Sequence, residues 1–474
     1  MQSKIIDYFL QISKVPRESK KEEQIRNFLI SWAILKEFEY KTDKIGNLVV
    51  YIPATIDKKN SETIILQSHI DIVCIKDSGI IHNFEIDSID VYEEDGFLKA
   101  HGTTLGADDG IGMAISLACA ELESHPALEL LFTVDEEQGL GGVSHFDASL
   151  VKGRKIINLD NEDEHEICVS SAGGEGIEFL KKNIFSKKPT FDQYKIVING
   201  FKGGHSGVDI EKNRGNAIKF MFDFLKSLKE IYPNDFEFVS LRGGQAGNAI
   251  PKECELIIGI KEIFPIKEIL EKLVENTRTN YDCPKINYKI IKNIERFPVI
   301  STRLNTNYDF IDMFDDIKIG VYKMSKNILG LTETSVNLGV INAGSDGINI
   351  LFMPRSSISE SLCDIEKDLT EKGKKYGFEI ILHEKFFGWQ QDQESDFVKQ
   401  IFEEYKKVYG DKAKVVAVHA GLECGILVSR IGKGTEAVSI GPTISNPHSP
   451  DEKCEINSIG NVFEILKSFL SKFI

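Results

Sequence analysis

The sequence predicts an α/β fold with a central, mostly parallel sheet, assembled from both ends of the chain and interrupted by an inserted α+β domain. Three observations lead there. Up to about residue 185, short apolar runs rich in β-formers alternate with helical patterns, the order that a layered parallel sheet requires. From 186 to 395 the pattern changes to strands separated by amphipathic stretches. From 396 onward buried-strand patterns resume, so the C-terminal segment is expected to complete the first domain. At 474 residues the chain also exceeds the size at which a single hydrophobic core stops growing. The expected division is 1–185 with 396–474 for one domain and 186–395 for the other.

Four runs of the discontinuous domain read as buried strands that lead into polar residues: TIILQSHIDIV (63–73), LELLFTVDEE (128–137), RKIINLD (154–160) and EAVSIGP (436–442). Between the first two, GTTLGADDGIGMAISLACAELE sets Asp108 and Asp109 after a glycine-containing turn at the head of a helix. Acids there complement the positive end of the helix dipole. In the insert, YKIVINGF, CELIIGI, INYKIIKNI and FEIILHEK read as strands, and NAIKFMFDFLKSLKEI and IKEILEKLVENT as amphipathic stretches. After it, ESDFVKQIFEEYKKVYG is helical and KVVAVHAG reads as a further buried strand.

Bulk properties narrow the function. Hydrophobic residues make up 42% and charged residues 27%, a globular composition. Asp and Glu outnumber Lys and Arg by 73 to 57, a net charge of -16 that argues against a phosphate backbone as ligand and favours small substrates or cations. The eight cysteines show no C-x-x-C pair and no dense disulfide spacing, as expected of reduced thiols in the cytoplasm. Neither a signal-peptide core nor an apolar run of transmembrane length is apparent, so a soluble protein with no membrane partner is expected.

In open α/β sheets, ligands gather beyond the carboxyl ends of the strands. His69 and Asp71 end the first run, Glu136 and Glu137 follow the second, Asp160 the third, and His448 lies beyond the fourth. Singly, each has an ordinary structural explanation: Asp108 as a first-turn acid, a lone histidine as a core residue, tandem glutamates as a solvated pair. Together, H-x-D, D-E-E, N-L-D and the Pro-His-Ser-Pro loop supply two histidines and several carboxylates to one region, the inventory of a two-metal site. Asp71, two residues past His69, suits the orientation of that imidazole through its second nitrogen. G-x-S-x-G is absent, and GADDGIG lacks the lysine and hydroxyl residue of a P-loop, which removes those serine-hydrolase and nucleotide-binding readings.

The strings QSHIDIV, TTLGADDGIGMA, FTVDEEQGLGG, INLDNE, FKGGHSGVDI, GGQAGNAIP, TETSVNLG, HAGLECGIL and GPTISNPHSPDE, in order along nearly the whole chain, resemble those of the aminoacyl-histidine (Xaa-His) dipeptidases. These carnosinase-like enzymes belong to a di-zinc peptidase clan that also holds aminoacylases and glutamate carboxypeptidases. The resemblance implies a zinc-peptidase-like catalytic domain with an inserted lid. It further implies a bridge by Asp108 between two divalent metals, zinc by default with manganese or cobalt as alternatives. His69 and Asp160 would complete one metal, Glu137 and His448 the other. By the same resemblance Glu136 is the general base and Asp71 supports His69. His205 would stabilise the oxyanion, Asn248 and Arg355 would bind the substrate carboxylate, and His419 and Glu423 would lie near substrate. The expected activity is hydrolysis of dipeptides, β-Ala-His among them, by a cytoplasmic homodimer. An aminoacylase or tripeptidase of the same clan is the alternative, and a non-catalytic metal or peptide binder the more distant one. The departures are small: Asp109 stands where asparagine is common and Asn161 where serine is common, and neither removes a ligand.

Overall fold

The computed structural model describes residues 2–182, 184–262, 264–292, 294–302, 309–326 and 330–474. The chain forms two compact units, one from Met1–Ser171, Trp389–Ala417 and Leu422–Ile474, the other from Ala172–Gly388 and Val418–Gly421.

The first unit is built on an eight-stranded sheet in the order Glu39–Thr42, Leu48–Ile52, Leu128–Thr133, Ile64–His69, Lys155–Asn158, Glu436–Ser439, Glu166–Cys168, Lys414–Val416. Its centre is parallel: Ile64–His69 runs beside Leu128–Thr133 on one side and Lys155–Asn158 on the other, and Glu436–Ser439 runs parallel to Lys155–Asn158. These strands are the four apolar runs. Ile64–His69 and Leu128–Thr133 are buried at every residue, as strands covered on both faces must be. The helix Ala107–Cys119 is buried all round, and its Ala, Ile, Leu and Met side chains share one core with the helices Gln2–Ile12 and Ile456–Lys472. KVVAVHAG departs from expectation. Only Lys414–Val416 is strand, partly exposed, because it lies at the edge of the sheet.

The second unit holds a nine-stranded antiparallel sheet. The order is Asn287–Ile291, Asp192–Asn199, Cys254–Ile260, Phe236–Gly243, Thr332–Gly344, Gly347–Ser356, Gly173–Lys181, Glu379–Phe386, with Gly320–Met324 also paired to Thr332–Gly344. Of INYKIIKNI, Asn293 lies outside the described residues. Gly347–Ser356 alternates buried and half-buried residues, the signature of a sheet with one covered face. Ile218, Met221, Phe222 and Leu225 of the helix Ala217–Ile231 pack into the core that the sheet forms. The unit starts at Ala172 rather than 186 because Gly173–Lys181 pairs with Gly347–Ser356 and Glu379–Phe386 and so belongs to this sheet.

Candidate metal centre

The parallel register brings the ends of the central strands level, His69 opposite Thr133 and Gln67 opposite Asn158, so the polar residues that follow emerge at one edge. Asp108 enters from the head of the helix Ala107–Cys119, where its own backbone angles are not helical. Two flanking positions adopt left-handed backbone angles that side-chain-bearing residues rarely take, His448 with φ 57° and Asp135 with φ 52°.

The two carboxylate oxygens of Asp108 face different histidines. Oδ1 lies 2.9 Å from Nε2 of His69, which is also 3.4 Å from Oδ1 of Asp160. Oδ2 lies 3.1 Å from Nε2 of His448, itself 3.0 Å from Oε2 of Glu137. The ligand atoms of His69, Asp108 and Asp160 fall within 4.8 Å of one another, as do those of Asp108, Glu137 and His448. Glu136 is close to both sets, grouping with His69 and Glu137.

The electrostatics of this cluster call for cations. Hydrogen bonds to Asp108 and Glu137 push His448 up to about 11. Burial opposes charge on His69, but Asp160, Asp108 and Asp71 outweigh it and raise the imidazole well above its ordinary value. Burial, reinforced by Asp108, drives Asp160 well above the usual carboxylate range. Burial likewise raises Glu136, with Asp160 and Glu137 adding to the effect and His69 opposing it. One buried oxygen, Oε1 of Glu137, has no hydrogen-bond partner among the described residues. Imidazole nitrogens, carboxylate oxygens and one shared carboxylate make a donor set that fits two divalent ions.

Asp71 does more than its spacing indicates. Its Oδ1 is 3.5 Å from Nδ1 of His69, beyond a well-made hydrogen bond. Its firm contacts are the backbone amides of Glu136 at 3.0 Å and Glu137 at 3.2 Å and the hydroxyl of Ser19 at 2.7 Å. It therefore holds the loop that carries the proposed base.

Sequence reasoning missed Glu452, whose carboxylate accepts from the amides of Leu105, Gly106 and Ala107 at 2.8–2.9 Å and from Asp108 at 3.4 Å. An acid four residues past His448 in PHSPDE was the available signal. Arg17, Ser19 and Glu22 were also missed, and nothing in their local pattern singles them out.

The second unit gathers a different set. Gly204–His205 pairs with Ala249–Ile250, so Asn248 adjoins His205, and the Asn248 carbonyl accepts from the Ser206 amide at 2.8 Å. Arg355 donates through Nε to the Ser206 hydroxyl at 3.2 Å and stands opposite Ser335 in the sheet. Ser335, also missed, hydrogen-bonds Nε2 of His419 at 2.8 Å. A Cβ on Gly207 would press into the His419 carbonyl, so that close approach requires glycine. Burial lowers His205 to about 4 and His419 to about 3, with the Arg355 charge adding to both, so both imidazoles are neutral at pH 7. Nδ1 of His205 accepts from the amides of Gly207 and Val208 at 3.3 and 3.4 Å, which leaves the proton on Nε2. Glu423 belongs to the first unit, has no exposed surface, and accepts from Gln67 and Thr133.

The description "Peptidase family M20/M25/M40" matches residues 65–472. The chain belongs to this family. Its sequence is 32% identical over 473 residues to the cytosol non-specific dipeptidase of Escherichia coli, covering 98% of this chain and 96% of that protein. The crystal structure of aminoacylhistidine dipeptidase from Vibrio alginolyticus superposes with a TM-score of 0.87 at 31% identity, covering all of this chain and 97% of the other. The aminopeptidase PepT of Bacillus cereus shares the fold at a TM-score of 0.57 and 16% identity, over 99% and 98% of the two chains. As a member of the M20/M25/M40 family, the chain is a metallopeptidase. Among the described residues, no helix is long and apolar enough to cross a membrane.

Proposed function

We propose that this protein is a cytosolic dipeptidase, active as a homodimer with two zinc ions, whose substrates include aminoacyl-histidine dipeptides such as β-alanyl-histidine. The observation that carries the reading is Asp108, with one carboxylate oxygen in each of two histidine-carboxylate clusters. His69 and Asp160 would hold one ion, Glu137 and His448 the other, and Asp108 both. Bound there, the ions supply Lewis acidity toward the scissile carbonyl and lower the pKa of water.

The protein's own groups do the rest. Glu136 takes a proton from the attacking water and returns it to the departing amine, a role suited to a carboxyl whose proton affinity is raised by burial beside other carboxylates. Asp71 keeps Glu136 in place through its backbone amide. In the second unit, which we assign to substrate recognition, Arg355 is buried with no carboxylate partner among the described residues, which suits it to the C-terminal carboxylate of a dipeptide. His205, neutral and carrying its proton on Nε2, donates to the oxyanion, and Asn248 beside it assists in binding. His419 lines the same recognition site.

A panel of dipeptides, tripeptides and N-acyl amino acids, assayed before and after metal stripping and with zinc, manganese or cobalt restored, tests the proposal. Dipeptide turnover should vanish on stripping and return with metal. Glu136→Gln should keep its bound metal and lose roughly 100-fold to 10,000-fold in kcat. Turnover confined to tripeptides or N-acyl amino acids would redirect the substrate assignment, and bound metal without any turnover would make the protein a binder.

A further inference from the structure

The family match begins at residue 65, yet the loops that carry the metal ligands are tied together by a segment well before it. We infer that Arg17, Ser19 and Glu22 form a positioning brace for the metal centre, an inference that rests on the reading of that centre given above. Each of the three is buried, at 2%, 6% and 6% exposure, and together they engage three ligand-bearing loops, those at Asp71, Gly106 and Asp135.

Arg17 spans two of them. Its guanidinium donates through Nη1 to the carbonyls of Asp71, at 3.0 Å, and Ile70, at 3.4 Å, directly after His69. Through Nη2 it donates to the carbonyl of Gly106, two residues before Asp108. Gly106 has a φ of +69°, and a Cβ there would lie 2.5 Å from Nη2, while one on Gly110 would lie 2.7 Å away. The loop and the helix it opens are thus cut to admit the guanidinium. The Arg17 carbonyl in turn accepts from the Ile72 amide at 3.1 Å.

Ser19 donates to Oδ2 of Asp71 at 2.7 Å, and Asp71 accepts the amides of Glu136 and Glu137. Glu22 accepts the amide of Asp135 through Oε1 at 2.9 Å, while the same oxygen takes the Lys20 amide at 2.7 Å. Asp135 is the residue held at φ 52° immediately before Glu136. The brace therefore fixes the backbone beside His69, Asp108 and Glu137 from one side, and Glu452 secures the Asp108 loop through four other amides. A two-metal site tolerates little drift in its ligand atoms, because one carboxylate must serve both ions.

The test measures zinc affinity by competition with a chelator, beside thermal melts of the metal-free proteins. Ser19→Ala and Arg17→Lys should bind zinc about 10-fold to 100-fold more weakly than the wild type. Ser19→Ala should also lower kcat with little change in KM. Tyr8→Phe, which loses the bonds of its hydroxyl with Glu121 and Trp32, controls for general weakening of the N-terminal region. It should shift the metal-free melt without shifting zinc affinity. If Arg17→Lys fails to fold, Ser19→Ala decides alone. Zinc affinity and kcat equal to wild type in Ser19→Ala, while the wild type binds zinc, would overturn the brace and leave the metal centre intact. A wild type that binds no zinc would overturn both.

Discussion

Glu452→Gln is the sharpest probe of how the bridging aspartate is held. The carboxylate faces four backbone amides, Leu105 and Gly106 on Oε2 and Ala107 and Asp108 on Oε1, and is 2% exposed. Glutamine has nearly the same shape but can present an acceptor to only one of these pairs, and it turns an NH2 toward the other. Two charge-assisted hydrogen bonds at about 1.5–3 kcal/mol each are lost, so the local cost is roughly 3–6 kcal/mol. If the loop stays in place, that cost appears as stability, and for a unit of this size the metal-free melting temperature should fall by about 6–24 °C. If the loop instead opens to water, the melt moves little and zinc affinity falls as Asp108 loses its position. Calorimetry of the metal-free variant and a chelator competition on the same sample separate the two routes. A variant with both wild-type melting and wild-type zinc affinity would refute the amide cradle.

Arg355→Lys keeps the charge but gives up the forked donor geometry, so KM for dipeptides should rise about 10-fold to 100-fold with little change in kcat, measured by steady-state kinetics. A shift confined to kcat would remove Arg355 from carboxylate binding. His419 supplies a pH test. Burial lowers it from 6.5 to about 3, so below pH 6.5 the unfolded chain takes up a proton that the folded one refuses, and stability falls with pH down to the folded value. At about 1.4 kcal/mol per pH unit, urea unfolding should show about 2 kcal/mol lost between roughly pH 6 and pH 4.5 in the wild type and not in His419→Gln, once the shared background is subtracted.

The proposed metal ligands were legible because a parallel strand buried on both faces announces itself as an unbroken apolar run, and the first polar residues after it mark the sheet edge. His69, Glu137 and Asp160 were singled out that way, the PHSP loop added His448, and the structure groups all four with Asp108. Arg17 and Glu452 left no comparable trace, since their partners are backbone carbonyls and amides that any residue supplies. The unit boundary was misplaced because SAGGEGIEFLK, rich in glycine, hides the strand Gly173–Lys181. The long strand Thr332–Gly344 was also overlooked, although the Asp346-Gly347 pair, at the end of the Ser345-Asp346 turn into its partner, was a usable hairpin signal. HAGLECG was read as one motif, yet the chain crosses units inside it, between Gly421 and Leu422.

Directly beneath the ligand layer, a row of polar side chains crosses all four parallel strands, which is costly in a core unless every member finds a partner. Gln67, Asn158 and Ser439 occupy matching positions on adjacent strands. Asn158 donates to Gln67 at 2.7 Å and accepts from Ser439, while Gln67 also contacts Thr133 at 3.2 Å. Glu423 closes the row by accepting from Gln67 and Thr133, and burial pushes it up to about 7. Gln67 lies two residues before His69 in the same strand and so on the same face as that proposed ligand, and Asn158 ends the strand that leads into Asp160. Apolar strands alone would pack almost equally well if they slid along one another. A hydrogen-bonded row admits one alignment, and a one-residue slip of any strand would turn its ligand to the opposite face of the sheet. The register of the polar row thus sets the register of the proposed ligands, and the cost of burying it is tied to the geometry that two metals would require.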